Sequence, residues 1–209
     1  PIGYDGKKDV GYDDTNYQFK GNFDGNGKTI TGLYINNPYD SDNDQSYAYT
    51  GLFGRVGMSR MIDHFSVKNL KLEDVDITGG SNTGGLAGQI GGEVSGILVT
   101  GTVEGRNSVG GITGYCASNL KNSYSAGSVT GTSGVGGIAG TANSTVVNTY
   151  STGSVIGDEY VGGIAGVVNG WVVYNAALNP FVKGTGNVGR IVGIKGGRAI
   201  VSGNIAFSG

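Results

Sequence analysis

The sequence predicts an all-β protein: a right-handed parallel β-helix of about seven coils built on a regular 26-residue unit. Three observations predict it. A glycine-rich pentapeptide recurs at a fixed spacing, apolar residues return to the same register in every unit, and the composition excludes long helices.

The pentapeptide Gly-Gly-(Leu/Ile)-(Ala/Thr)-Gly stands at 84–88, 110–114, 136–140 and 162–166, so that each copy is offset from the last by 26. A degenerate copy at 189–193 follows at an offset of 27, and Gly51-Leu52-Phe53-Gly54 precedes the series by 34. Gly85, Gly88, Gly111, Gly114, Gly137, Gly140, Gly163 and Gly166 are its structural markers. Around them Val103, Val129, Val155 and Phe181 share one register, Val109, Val135, Val161 and Val188 a second, and Val94, Leu120, Val146 and Val172 a third. Apolar residues at one place in every unit form inward rows that only stacking can bury.

Glycine supplies 43 of the 209 residues, where roughly 7% is usual. Each glycine costs a helix about 1 kcal/mol relative to alanine, so helical repeats are excluded. At about 3.3 Å per residue, one 26-residue unit traces about 85 Å, enough for three short strands and three turns. Within a coil the strands are expected over 137–142, 145–150 and 154–156, with glycine supplying positive-φ corners between them. The stack should be a rod of about 30 to 35 Å.

The whole chain 1–209 reads as one solenoid domain. Residues 1–50 form an opening coil with an Asp- and Asn-rich insertion loop at 38–46. Residues 51–84 form an irregular coil, in which Val67, Leu70, Leu72, Val75 and Ile77 fit two short strands with a bend near Glu73 and Asp74. The regular repeats occupy 85–189, and 190–209 is a degenerate last coil. The chain opens at Pro1 and stops at Gly209 within a repeat-like pattern, which suggests a segment of a larger protein.

Charge is sparse: 14 basic and 16 acidic residues, with no basic run to neutralise a row of phosphates, so nucleic acid is not expected as a partner. A membrane-spanning helix needs an apolar run of roughly 18 residues or more, and no run here is that long, so this segment is not expected to insert into a membrane. One cysteine and one histidine rule out a disulfide framework and a Cys- or His-based zinc cluster.

Two motifs suggest phosphate chemistry and fail on context. Residues 134–139 satisfy the dinucleotide fingerprint, but no helix follows to hold a pyrophosphate. Gly27-Lys28-Thr29 lacks the glycine a phosphate loop needs at position 22, where Asn22 stands.

Cys116 shares its register with Ile90, Ala142 and Val168 and should be a small core residue. His64 has no ligating or catalytic partner in sequence and reads as a surface or capping residue. Asp40, Asp42 and Asp44 alternate as hard oxygen ligands and make calcium the one cofactor candidate, although the loop lacks the EF-hand glycine and glutamate. Tyr124 and Tyr150 share a register and should stack on successive coils, while Trp171, Tyr160 and Tyr174 lie in neighbouring coils; aromatics so placed suit core closure, a ladder or the apolar faces of sugar rings. Asn122 and Asn148 are register equivalents and should form an amide ladder.

The Gly-Leu-Ala-Gly and Gly-Ile-Ala-Gly copies, followed by stretches such as 148–155, resemble the GLUG-motif repeat family, as does Phe-Asp-Gly-Asn-Gly-Lys-Thr-Ile at 23–30. The stretches 175–180 and 189–193 resemble closing repeats of such arrays. That resemblance covers about residues 19–207 and implies a bacterial cell-surface or secreted protein whose β-helix serves as stalk, adhesion surface or spacer. It also implies relatives among immunoglobulin-cleaving zinc peptidases, whose His-Glu-x-x-His helix is absent here.

The expected function is therefore that of a non-catalytic extracellular module, not an enzyme, that contacts a host protein or glycan or spaces other domains of the same polypeptide. Two alternatives stand beside it: an accessory region of a surface zinc peptidase, and a polysaccharide-binding or polysaccharide-degrading β-helix. The latter needs converging carboxylates, whereas Glu93, Glu104, Arg106, Lys121, Asp158, Glu159 and Lys183 show no common register in the sequence.

Overall fold

A computed structural model describes residues 18–37, 49–57 and 65–207. These residues form 26 β-strands and no helix, so none of them provides a helix long and apolar enough to cross a membrane. The strands gather into sheets of fifteen, five and six strands in which every pairing is parallel. The chain visits the five-stranded sheet, then the six-stranded sheet, then the long sheet, and returns one rung further along. The fold is a β-solenoid.

The described residues complete about five turns, not seven. The five-stranded sheet counts them, with strands Thr83–Gly84, Asn107–Gly110, Ser133–Gly136, Glu159–Gly162 and Val188–Gly189. The earlier rungs Asn22–Thr31 and Ser66–Thr78 lie on the long sheet and have no strand partner in the five-stranded one, so they belong to partial turns.

The 26-residue register holds across the regular coils. Val94, Leu120, Val146 and Val172 pair in sequence and are fully buried, as are Ile90, Cys116, Ala142 and Val168. Val109, Val135 and Val161 pair and are buried, while Val188 on the last rung is exposed. Leu86, Ile112, Ile138 and Ile164, the central residues of the pentapeptides, form a further fully buried row. Each such side chain contributes roughly 1.5 to 3 kcal/mol when taken from water.

One row departs from the expected register. Val155 pairs with Val182, so Phe181 falls outside the valine row and stands 44% exposed with Lys183 over its ring. The extra residue that lengthens this unit by one enters before Val182, and a slip of one residue sends a side chain to the opposite face of a strand.

Strand boundaries differ from expectation as well. A strand at Ser133–Gly136 precedes the pentapeptide centre, the next begins at Ala139, and the segment expected over 145–150 splits into Thr145–Val147 and Tyr150–Ser151. The split falls at Asn148, whose φ of 51° is left-handed. Conversely, Ser66–Thr78 is a single strand with a register shift between Leu72 and Val75, where Asp74 has a φ of 55°.

The pentapeptide glycines do not supply positive φ; they permit close approach. A Cβ built on Gly85 would lie 2.6 Å from Gly111 O, and Gly111 stands in the same relation to Gly137, and Gly137 to Gly163. A Cβ on Gly136 would meet the Cα of Ala165 at 2.7 Å. Here the five- and six-stranded sheets meet backbone against backbone, with no room for a layer of side chains. Arg190 occupies the glycine position on the last described coil, where a side chain meets no further described rung. Its guanidinium donates to Asn179 O at 2.7 Å and Phe207 O at 2.9 Å, tying the final segment to the coil below.

Candidate functional site

The outward surface of the long sheet carries two parallel columns of exposed and half-exposed residues. In the first, Leu98, Tyr124, Tyr150 and Ala176 occupy successive rungs. The rings of Tyr124 and Tyr150 stack with centroids 4.2 Å apart and planes 16° apart, and the Tyr124 hydroxyl lies 3.2 Å from Thr152 Oγ1. The parallel rungs impose this geometry, because register-equivalent side chains repeat at about 4.8 Å. Ala176 is too small to cover the far side of Tyr150, which is 43% exposed.

The second column turns a corner in left-handed conformation: Asn69, Gly96, Asn122, Asn148, Tyr174 and Gly203 have φ between 51° and 64°. Asparagine and glycine tolerate this region; tyrosine rarely enters it. Asn148 Nδ2 donates to Asn122 Oδ1 at 3.4 Å, and Asn69 Nδ2 donates to Asp24 Oδ1 at 3.1 Å. Tyr174 is 68% exposed and its ring lies over Gly203, where a Cβ would meet it at 2.6 Å.

Between the columns runs an open groove of about 530 Å³, bordered by Asn69, Gly96 and Asn122 on one side and by Lys71, Leu98, Tyr124 and Tyr150 on the other, with Ile97 and Ser123 between them. It extends from Asn26 on the first rung to Tyr150 on the fifth.

Of the five aromatic candidates, then, the structure brings together Tyr124 and Tyr150. Trp171 is 55% exposed in a different column, between Thr145 and Ile200. Tyr160 lies on the five-stranded sheet, in a second left-handed column with Asn82, Ser108 and Gly134. Among the described residues no ring stacking joins Trp171, Tyr160 or Tyr174 to the Tyr124–Tyr150 pair. Asp40, Asp42, Asp44 and His64 lie outside the described residues.

Sequence reasoning misses the groove itself. A signal for it exists, because Asn122 is offset by 26 from Gly96 and Gly96 by 27 from Asn69, so extending the asparagine register backwards reaches the site.

Ionisable groups pair locally. Asp24 accepts the Asn26 N–H at 2.9 Å and the Asn69 amide, and its carboxyl is held below the usual carboxylate range by those hydrogen bonds, with Lys68 at 3.4 Å adding to them. Lys121 forms an ion pair with Glu93. Glu104 and Lys183 do share a column, contrary to expectation, but Thr130 and Ile156 separate them. Burial pushes the Cys116 thiol up to about 12, so it carries no thiolate at neutral pH. Among the described residues, no three His, Cys, Asp or Glu side chains gather as a metal site.

No family model matches the chain. A stretch of 93 residues is 35% identical to part of the halomucin of Haloquadratum walsbyi, which makes that protein similar over 44% of this chain. The same stretch is 1% of the halomucin's length. No solved structure matches.

Proposed function

We propose that this chain is a non-catalytic extracellular module of a cell-surface or secreted protein, which binds a host protein or glycan through its outer face or holds neighbouring domains apart. The observation that carries the reading is the unbroken parallel ladder from Ser66 to Ala206. Each coil rests only on its neighbours, so the fold is a stiff rod that presents repeated side chains along its length. The likeness to halomucin, a mucin by name, supports an extracellular location. The repeated pentapeptide supports assignment to the GLUG type, with a right-handed coil, the hand that parallel crossovers favour.

The test is antibody labelling in the native host. An antibody raised against the folded chain should stain intact cells or deplete the signal from culture medium. Staining that appears only after lysis contradicts the reading. Incubation of the purified chain with pectin, alginate or glycosaminoglycan should release no product, and turnover of any of them overturns the non-catalytic assignment.

A further inference from the structure

We infer that the groove between the tyrosine and asparagine columns is a binding site for a neutral linear glycan lying along the stack axis. The inference rests on the extracellular-module reading and goes beyond it by naming the site and the ligand class.

Shape is the first consideration. The groove crosses five successive rungs, from Asn26 through Asn69, Gly96 and Asn122 to Tyr150, which at about 4.8 Å per rung gives it a length of about 19 Å. It is narrow across the strands and long along the axis, which suits a chain molecule. Gly96 opens its middle. A Cβ there would lie 2.9 Å from Asn69 Oδ1, so a side chain at 96 would close the passage between Asn69 and Asn122.

The lining chemistry selects the class. One border offers amides, which both donate and accept and therefore match hydroxyl groups. The other offers the stacked Tyr124 and Tyr150 rings, and the uncovered side of Tyr150, towards Ala176, closes the groove's end with an apolar platform for the C–H face of a terminal pyranose ring. Lys71 is the single charged group on the border, too little for a polyphosphate. Nor does the groove suit an added peptide strand, because it lies on the face of the long sheet. The backbone of Ile97, Leu98 and Tyr124 is already engaged in the parallel ladder, and strand addition needs a free edge.

The experiment is isothermal titration of the purified chain with cellohexaose, maltohexaose and chitohexaose, repeated for Tyr150→Ala and Asn122→Gly. Both substitutions copy residues already present in the same columns, Ala176 and Gly96, so the coil accommodates them; melting curves check that it does. At least one hexasaccharide should bind, with the heat unaffected by about 0.5 M NaCl, and each variant should weaken it by about tenfold, the effect of one lost platform or amide contact.

Binding that survives both substitutions overturns the inference, as does loss on Trp171→Ala with none on Tyr150→Ala, which would place the ligand in another column. If none of the three sugars binds while intact cells still stain, the groove assignment fails and the surface-module reading stands.

Discussion

Asn175 Oδ1 accepts the main-chain N–H of Thr149, one coil earlier, at 2.9 Å, and takes the Thr149 hydroxyl at 2.8 Å. The relationship repeats along the stack. Ser123 Oγ accepts the N–H of Ile97, and Asn204 Oδ1 that of Asn175. At the left-handed corners Gly96, Asn148 and Tyr174 the next N–H is met by a side-chain oxygen of the following coil in place of a main-chain carbonyl. Unmet, such a group costs roughly 1 to 3 kcal/mol.

Asn175→Ala should therefore destabilise by about 2 to 3 kcal/mol, since it orphans the Thr149 N–H in a buried site. Asn175→Ser should recover part of that loss, because Ser123 performs the same task in its own coil. Urea unfolding of both variants checks the order; equal losses would contradict it.

Close approach at the pentapeptide gives a second contrast. Gly137→Ala places a methyl group against Gly163 O and Ser151 and should cost more than about 3 kcal/mol, among the larger effects of single substitutions. Gly197→Ala meets no atom within 4 Å and should stay within about 0.5 kcal/mol of the parent. Thermal unfolding of the pair measures the difference.

The left-handed corners predict a different ranking. Asn148, with φ of 51°, should tolerate glycine, whereas Asn148→Val should lose about 1 to 2 kcal/mol, because a β-branched side chain clashes in that region. Matching losses for both variants would show that the amide contact with Asn122, rather than the backbone, decides the position.

How much of this is legible in the sequence follows from what makes each feature periodic. The rows through Val94, Val109 and Cys116 can be read because one apolar side chain must recur wherever a coil stacks on its neighbour. The strand at Ser133–Gly136 cannot, since a glycine-rich strand packed backbone to backbone shows no alternation. The corner at Asn148 is hidden because asparagine serves in strands and turns alike, and only the register with Asn69, Gly96 and Asn122 shows that a left-handed residue is required. Phe181 misleads for another reason: two adjacent apolar residues, Phe181 and Val182, both suit an inward row, and the single inserted residue decides between them.

Cys116 predicts the pH dependence. Its thiol is held at about 12 by burial, while an unfolded thiol titrates near 8.5. The native state keeps the proton longer, so this group's contribution is fully present below about pH 8.5 and is lost as the pH rises towards 12, with a slope of about 1.4 kcal/mol per pH unit. Subtracting the stability of Cys116→Ala, a substitution that copies Ala142 in the same row, from that of the parent at pH 7, 9 and 10 isolates it. A difference that does not change across this range would contradict the burial.

The parallel 26-residue register underlies the rows, the corners and the groove alike, and disulfide trapping measures it directly. Thr130 and Ile156 are paired rung neighbours on the outer side of the long sheet. In a Cys116→Ala background, Thr130→Cys with Ile156→Cys should oxidise completely and leave the melting temperature unchanged or raised, because paired rungs lie within the span a disulfide bridges. Thr130→Cys with Ser154→Cys, two residues out of register, should remain reduced under the same conditions. Efficient trapping of the second pair in place of the first would contradict the register, and with it the columns from which the groove is built.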